Sequence, residues 1–471
     1  MNYISTRGQS APMGFQDAVM TGMSRDGGLL IPDHIPAISV GQLRDWADLG
    51  YTDLAFEVMK LYTDLPEADL RELIEKSYST FRSQETTPIA AVGDIHILEL
   101  FHGPTLAFKD VALQFLGNMF EYILKRTKQE LNILAATSGD TGSAAIYGVR
   151  GKDRIRIFVM HPAGRVSPVQ ERQMTSVLDD NVYNLAIEGT FDDCQFILKE
   201  TFGDLEFKDQ YAMGTVNSIN WARVLAQIVY YFYGVLKLQK STGAKSIQVS
   251  VPTGNFGDIF ADYVAKQMGL PVDKLIIATN SSDILTRTLE CGRYETTGVD
   301  ATSSPSMDIQ VSSNFERLLF DASDRDSEYI KRSMSSLGQS GAFSLGDKVH
   351  QTIEADFLAG RAGAADVDHT IREVLSSSGY LLDPHTAVGV HVARQTKTTS
   401  PQIVLATAHP AKFPDAVKAA CGKHPELPDR SAHLMQVTER FTVIKNDLDT
   451  LENYITAFAC RRIKSAGTLR R

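Results

Sequence analysis

The residue whose surroundings most suggest chemistry is Lys109, at the centre of the stretch FHGPTLAFKDVALQFLG, residues 101–117. Its apolar neighbours, Phe108 before it and residues 111–113 after it, are expected to keep water from its ammonium group. Because burial disfavours the charged form of an amine, we expect the pKa of Lys109 to fall. A lysine of this kind can act as a base or form a Schiff base with a carbonyl compound, although most lysines at the start of an amphipathic helix are simply exposed.

A turn further along the chain has the composition of a phosphate-binding site. Residues 246–252 are typical of a strand, and a helix is expected soon after them. Glycines in such a turn let the main chain approach an anion, and the N–H groups and the helix dipole favour its charge. The turn has neither the Walker pattern nor the dinucleotide pattern Gly-x-Gly-x-x-Gly, and many turns of this kind only connect a strand to a helix. Its residues are Thr253, Gly254, Asn255, Phe256, Gly257 and Asp258.

Arg223 is a second candidate for anion binding. It lies near the start of a long helix, about 200° around the helix axis from Trp221 on the apolar face, so the spacing places it away from that face. An arginine beside a helix N-terminus can hold an anion. A water-exposed charge fits the same spacing equally well.

Strands and helices alternate from Ile95 onward, which predicts an α/β fold with a mostly parallel sheet. Residues before about position 90 show helical periodicity instead, and Trp46 is expected in the core. Ligands of parallel sheets bind beyond the carboxyl ends of the strands, where we expect Ser138, Thr253, Thr407 and the Lys109 loop. The expected strands are 95–100, 132–137, 155–160, 182–187, 211–216, 246–252, 275–279 and 403–407.

Residues 281–345 are rich in serine, and we expect an irregular segment with a loop at 303–308. This segment could flank a site, contact another subunit or be an insertion. Helices are expected from about Gly346, with one starting at residues 383–386.

Composition and charge exclude several classes of protein. The 471 residues are 43% apolar and 22% charged, with a formal net charge of -10, which is typical of a soluble protein of two or three domains. Because there is no basic block and no apolar run long enough to span a bilayer, we expect neither a nucleic-acid nor a membrane partner. The cysteines lack metal-site spacing, so we expect no metal, and a reducing, cytoplasmic location fits them best. They are Cys194, Cys291, Cys421 and Cys460.

Seven motifs, in this order, resemble those of the threonine synthases of the longer bacterial and fungal branch, which are pyridoxal-phosphate enzymes of fold type II. They are FHGPTLAFKD, TSGDTG, NSINWAR, PTGNFGD, SPSMDIQVSSNFERL, DPHTAVG and ATAHPAKF, and the opening MNYISTRG and SRDGGLLIP resemble that branch too. The resemblance covers essentially the whole chain. It implies a fold like that of tryptophan synthase β, with two open, twisted, mostly parallel sheets flanked by helices. The implied domains are an N-terminal helical unit (1–90), a large cofactor-binding α/β domain (91–128 and 214–471) and a small inserted α/β domain (129–213).

The resemblance also implies an activity, namely conversion of O-phospho-L-homoserine and water to L-threonine and phosphate by γ-elimination and β-addition. This reaction is the last step of threonine biosynthesis, catalysed by a carbon–oxygen lyase acting on phosphate. Lys109 would bind pyridoxal 5'-phosphate covalently, the turn at 253–258 would hold its phosphate, and Thr407 would contact its pyridine nitrogen. The implied substrate-binding residues are Ser138, Asp140, Thr141, Ser218, Asn255 and Arg223.

Several alternatives stay open. A related dehydratase or phospho-lyase would keep Lys109 and the turn, and a pseudoenzyme with a regulatory role would bind the cofactor without turnover. Asp140 could accept hydrogen bonds from its own loop or contact the cofactor hydroxyl. His102 and His409 could transfer protons or be structural. The protein is expected to be a monomer or a homodimer.

Overall fold

The computed structural model describes residues 1–459, so Cys460 lies outside the described residues. The strands of the described part are β1 (Tyr3–Ser5), β2 (Leu30–Pro32), β3 (Ile89–Val92), β4 (Ile95–Glu99), β5 (Leu131–Ala136), β6 (Ile155–Pro162), β7 (Val182–Glu188), β8 (Met213–Gly214), β9 (Ile247–Pro252), β10 (Val272–Thr279), β11 (Arg293–Glu295), β12 (Ala342–Ser344), β13 (Phe357–Arg361), β14 (Gln402–Ala406) and β15 (Thr442–Lys445).

The helices of the same residues are α1 (Phe15–Thr21), α2 (Val40–Trp46), α3 (Tyr51–Met59), α4 (Glu67–Tyr78), α5 (Lys109–Thr127), α6 (Asp140–Val149), α7 (Pro168–Thr175), α8 (Phe191–Gly203), α9 (Leu205–Gln210), α10 (Trp221–Thr242), α11 (Gly257–Gln267), α12 (Ile284–Cys291), α13 (Phe315–Ala322), α14 (Ser327–Ser340), α15 (Asp347–Asp356), α16 (Ala364–Ser378), α17 (Pro384–Gln395), α18 (Pro414–Cys421) and α19 (Leu448–Phe458). None of the helices within residues 1–459 has both the length and the hydropathy needed to cross a bilayer.

These elements form two compact units, each of which is described by itself. Unit 1 consists of Met1–Phe115 and Ser218–Leu427. Unit 2 consists of Leu116–Asn217 and the described residues from Pro428 onward.

The main sheet of unit 1 has the strand order β13-β10-β9-β14-β4-β3. Only the edge pair β3 and β4 is antiparallel, and the other neighbours are parallel. Strand β14 pairs with both β4 and β9. Because parallel strands end at the same edge, the segments that follow these three strands leave the sheet side by side. Those segments carry Lys109, Thr253 and Thr407.

Helix α10 is buried along most of its length. Every residue from Trp221 to Leu236 is buried, so this part of the helix is covered on all sides rather than on one face. Trp46 of α2 packs edge-on against Phe232 of α10, with ring centroids 5.5 Å apart. This contact confirms that Trp46 belongs to the core. Helices α3 and α4 confirm the predicted helical periodicity before residue 90.

Unit 2 has a parallel sheet with the order β15-β7-β6-β5-β8. The C-terminal strand β15 extends this sheet, and Leu451 and Ile455 of α19 pack into the same core as Phe158. The division of the chain therefore differs from the sequence-based one, which assigned these C-terminal residues to the large domain. Pairing between strands so far apart in the chain leaves no local mark in the sequence. The two mostly parallel sheets confirm the α/β class.

The segment 281–345 is irregular only in part, contrary to our expectation, because it contains α12, β11, α13, α14 and β12. Residues 296–314, which include the loop expected at 303–308, have neither a strand nor an α-helix. Helix α14 shows why the serine content of this segment led to a wrong prediction. Its serines lie mainly on the exposed side, Ile330 is buried, Asp326 caps its start and Gly341, with φ of 72°, ends it. Other strands also differ from expectation. The strand expected at 211–216 is only β8, and the strands that were not predicted are β2, β3, β11, β12, β13 and β15.

Candidate active site

The segment that carries Lys109 is hydrogen-bonded to the segment that carries Thr407. The main-chain N–H of Phe108 donates to the carbonyl oxygen of Thr407 at 2.8 Å, and Ala107 and Ala408 form an antiparallel bridge. The two segments follow the neighbouring strands β4 and β14. The fold therefore brings together two candidate residues that lie far apart in the sequence.

Lys109 is the first residue of α5 and is only 7% exposed. Its Nζ lies 4.7 Å from the centroid of the Phe108 ring and donates a hydrogen bond to Ser306 Oγ at 3.4 Å. The amine is thus held between an aromatic face and a hydroxyl group. The alternative of an exposed lysine at a helix start is wrong.

Asp110 fixes the loop that precedes Lys109. Its carboxylate accepts hydrogen bonds from the main-chain N–H and the hydroxyl of Thr105, both at 2.7 Å. The buried Lys412 donates from Nζ to the carbonyl oxygen of Thr105 at 2.7 Å. Burial raises the pKa of Asp110 to about 6, opposed by the bonds from Thr105 and by the charge of Lys412. Because Lys412 follows Thr407 on the same segment, this cluster ties the Lys109 loop to that segment a second time.

The turn between β9 and α11 has the geometry of an anion cradle. Phe256, with φ of 63°, adopts the left-handed conformation just before α11 begins. A side chain at position 254 would not fit, because an added Cβ would lie 2.7 Å from the carbonyl oxygen of Ser306. N–H groups at the start of a helix favour phosphate. Four main-chain N–H groups of the turn donate no hydrogen bond to any residue that the structure describes: those of Gly254, Asn255, Phe256 and Gly257.

The carbonyl groups of the same turn are held from residues 312–314. Ser312 Oγ donates to the carbonyl oxygen of Gly254 at 2.7 Å. Asn314 donates to the carbonyl oxygen of Asn255 from its main chain at 3.1 Å and from Nδ2 at 2.9 Å. The hydroxyl of Thr253 donates to the carbonyl oxygen of Val251 at 2.6 Å. These bonds fix the peptide planes of the turn without using its N–H groups.

Asp258, the last residue of the turn motif, is bound by α10. Its Oδ1 accepts hydrogen bonds from the hydroxyls of Tyr230 and, at 2.7 Å, Tyr231. Burial raises the pKa of Asp258 to about 6, opposed by these two hydrogen bonds and by the charge of Lys109. The Asp258 side chain thus holds the start of α11 against α10.

Three of the predicted substrate-binding residues lie in unit 1: Ser218, Arg223 and Asn255. Arg223 is only 4% exposed, so the alternative of a water-exposed charge is wrong. Burial lowers the pKa of Arg223 to about 10, which still leaves it charged at neutral pH. Ser218 and Asn255 are near each other, since Asn314 Nδ2 donates to both of their carbonyl oxygens, at 3.5 and 2.9 Å.

The other three predicted substrate-binding residues lie in unit 2, in and after the loop between β5 and α6: Ser138, Asp140 and Thr141. Thr137 Oγ1 accepts from the N–H groups of Gly139 and Gly142, each at 2.9 Å, and so closes the loop. Asp140 is 5% exposed, and its Oδ1 accepts from Gln170 Nε2 at 2.8 Å. A hydrogen bond to its carboxylate therefore comes from α7.

Both histidines for which a proton-transfer role was considered have structural partners. His102 Nε2 lies 2.7 Å from Glu99 Oε2, and Glu99 also accepts from the hydroxyl of Tyr380 at 2.7 Å. His409 Nδ1 accepts from the N–H of Ala411 at 3.2 Å and caps the short turn that follows. These contacts favour the structural interpretation.

Sequence reasoning missed Ser306, although it recognised the loop that contains it. The main-chain N–H of Ser306 donates to His385 Nε2 at 3.3 Å, and His385 Nδ1 lies 2.9 Å from Asp383 Oδ1. A histidine two residues after a helix-capping aspartate was the available signal. Only tertiary structure connects that histidine to the Ser306 loop.

Three family models match the chain. "Threonine synthase N terminus" matches residues 2–78, "Pyridoxal-phosphate dependent enzyme" matches residues 83–343, and "Threonine synthase, C-terminal" matches residues 386–455. Together these models extend over both units.

Full-length relatives agree with the family models. A threonine synthase of Pseudomonas aeruginosa is 46% identical over 97% of this chain and 98% of its own length. A crystal structure of threonine synthase from Brucella melitensis with bound PLP is 51% identical, covers 98% of this chain and 99% of that chain, and has a TM-score of 0.95. The crystal structure of the yeast threonine synthase is 45% identical, covers 97% and 98% of the two chains, and has a TM-score of 0.92.

Proposed function

The chain belongs to the threonine synthases, which are pyridoxal-phosphate-dependent enzymes, and from this premise we propose that Lys109 binds the cofactor and that O-phospho-L-homoserine is the substrate. The enzyme is a lyase of threonine biosynthesis. The observation that most directly supports the proposed site is the hydrogen bond from Phe108 to Thr407, because it holds Lys109 and Thr407 at one edge of the sheet.

The residues at this edge suit the chemical groups of pyridoxal phosphate. The buried amine of Lys109 can react with an aldehyde, and the N–H groups of the turn can bind a phosphate. The hydroxyl of Thr407 is a neutral partner for the pyridine nitrogen and does not force its protonation. We assign the cofactor phosphate to the turn formed by Thr253, Gly254, Asn255, Phe256, Gly257 and Asp258.

When bound, pyridoxal phosphate would withdraw electrons from the substrate and make the proton on its α-carbon acidic. Lys109 Nζ would take that proton and later return it. Phe108 and the loop around Ser306 keep bulk water from this amine. Loss of a proton from Cβ would supply the electrons that expel phosphate from Cγ, after which a proton would add at Cγ and water at Cβ. The positive charge of Arg223 would stabilise the departing phosphate. The complete set that we assign to the substrate is Ser138, Asp140, Thr141, Ser218, Arg223 and Asn255.

The test replaces Lys109 by alanine. Lys109→Ala should fold, lose the visible absorbance of covalently bound cofactor and release neither phosphate nor threonine from O-phospho-L-homoserine. Lys125→Ala, a change of a half-exposed lysine in the same helix, is the matched control and should behave like the wild type. Steady-state threonine formation by Lys109→Ala would contradict the assignment, and release of a keto acid by the wild type would indicate a different reaction, that of a related dehydratase or phospho-lyase.

We also propose a cytoplasmic location and a monomeric or homodimeric state. Three free cysteines among residues 1–459, Cys194, Cys291 and Cys421, support a reducing compartment. Light scattering of the purified protein measures the assembly, and a mass above that of a dimer would contradict the second proposal.

A further inference from the structure

The contact between Lys109 and Ser306 has no role in the site proposed so far. Lysine has a long side chain with considerable rotamer freedom, so an amine that is released from a covalent bond tends to leave its reactive position. A near-attack geometry has to be maintained if the amine is to react again. The Ser306 hydroxyl, 3.4 Å from Lys109 Nζ, lies where it can supply this restraint.

Ser306 is held from its main chain, while its hydroxyl accepts a hydrogen bond from Lys109. The N–H of Ser306 donates to His385 Nε2. An acceptor at Nε2 places the imidazole proton on Nδ1, which then donates to Asp383 Oδ1. His385 is only 2% exposed and its ring lies 4.8 Å from that of Phe413. This packing gives the His385 ring one orientation.

The rest of the Ser306 loop is equally constrained. Asp308 accepts hydrogen bonds from the main-chain N–H of Thr302 at 2.8 Å and from its hydroxyl at 2.6 Å. Asn280 Nδ2 donates to Asp308 Oδ1 at 2.7 Å. The carbonyl oxygen of Ser306 lies against Gly254, where an added Cβ would meet it at 2.7 Å. The loop is therefore a rigid support between the cradle and Lys109.

We propose that Ser306 is a further catalytic residue, whose hydroxyl accepts a hydrogen bond from the Lys109 amine and holds it in reacting position whenever it is not covalently bound. His385 and Asp383 are positioning residues that act through the Ser306 main chain. The inference rests on the proposed role of Lys109.

The test distinguishes an effect on the Lys109 amine from an effect on the phosphate-binding turn. Mixing apoenzyme with pyridoxal phosphate and following visible absorbance measures how fast Lys109 joins the cofactor aldehyde, with loss of one water. Ser306→Ala should slow this step about tenfold, a factor that corresponds to about 1.4 kcal/mol. The affinity for pyridoxine 5'-phosphate, which has the ring and the phosphate but no aldehyde, should stay within about twofold, a change of about 0.4 kcal/mol. In the holoenzyme, kcat should fall while KM changes little.

Two matched variants make the result specific. Ser306→Thr keeps a hydroxyl and should restore most of the rate, and Ser303→Ala, in the same loop, should leave it unchanged. A wild-type rate in Ser306→Ala, or an equal loss of pyridoxine 5'-phosphate affinity, would overturn the proposal. A wild type that never joins the cofactor through Lys109 would instead refute the proposed function. His385→Leu should also slow the reaction of Lys109 with the cofactor aldehyde. The variant that combines Ser306→Ala and His385→Leu should react no more slowly than Ser306→Ala, whereas additive losses of rate would remove His385 from the proposal.

Discussion

The cluster of Thr105, Asp110 and Lys412 gives a prediction that can be checked without cofactor or substrate. Asp110 is fully buried, and burial raises its pKa from 3.8 to about 6. We consider Asp110→Asn, which keeps the shape of the side chain and one acceptor oxygen but removes the titration. The substitution also removes the carboxylate that interacts with the charge of Lys412, which adds an offset to the stability difference between the two proteins.

The sign and size of the change in stability with pH follow from the pKa values of Asp110 in the unfolded and the folded chain. A carboxyl group whose pKa is higher in the folded state binds more protons there, so its stabilising contribution is complete below about pH 4 and disappears as pH rises through about 6. The shift from 3.8 to about 6 corresponds to about 3 kcal/mol over the whole interval. The wild type should therefore lose about 2 kcal/mol of stability relative to Asp110→Asn between about pH 4.5 and about pH 7.

Urea unfolding of both proteins across this pH range measures the difference in unfolding free energy. The exposed Asp300 supplies a matched control, because Asp300→Asn makes the same change of residue type at the surface. The offset caused by Lys412 cancels, since only the change with pH is compared. Parallel pH curves for the wild type and Asp110→Asn would refute the argument, because they would mean that Asp110 titrates alike in the folded and unfolded chains.

Two further predictions concern other buried groups. Burial lowers the pKa of His161 from 6.5 to about 4, so the unfolded chain binds the extra proton first and stability should fall by up to about 3 kcal/mol as pH drops through this interval. Thermal unfolding of His161→Leu should not show this loss of stability at low pH. If the stability of the variant depends on pH as that of the wild type does, the prediction is wrong. Arg223→Ala should raise the KM for O-phospho-L-homoserine at least about tenfold with little change in cofactor content, since a buried charge-assisted contact is lost, and Arg223→Lys should recover part of the loss. An unchanged kcat/KM would remove Arg223 from the substrate site.

Local sequence was a reliable guide wherever the determining interaction is local. The start of α17 follows from Asp383, which caps it, and from the proline in its first turn. The strand–turn–helix at residues 247–267 follows from an apolar run and two glycines. For α14 the composition gave a wrong prediction of irregular structure, because a sequence rich in serine is typical of a loop and also of an exposed helix face.

The orientation of Arg223 shows a different limit. Helical periodicity separates one face from another but does not reveal that α10 is surrounded on every side. An arginine opposite the apolar face was therefore expected to be exposed with even odds, yet it is buried. Helices α3 and α11, which are separate segments of the chain, pack on α10.

By itself, the sequence determined the α/β class and, through the order of its motifs, the family, and it left a buried and an exposed Lys109 as alternatives. Only the tertiary structure decided which of these residues meet: the Phe108 to Thr407 hydrogen bond, the link from Asp110 through Thr105 to Lys412, and the support of Ser306 by His385. Residue types and short-range spacing encode what a group can do chemically. Its partners depend on strand order, because β14 lies between β4 and β9 and places the segments that follow all three strands side by side.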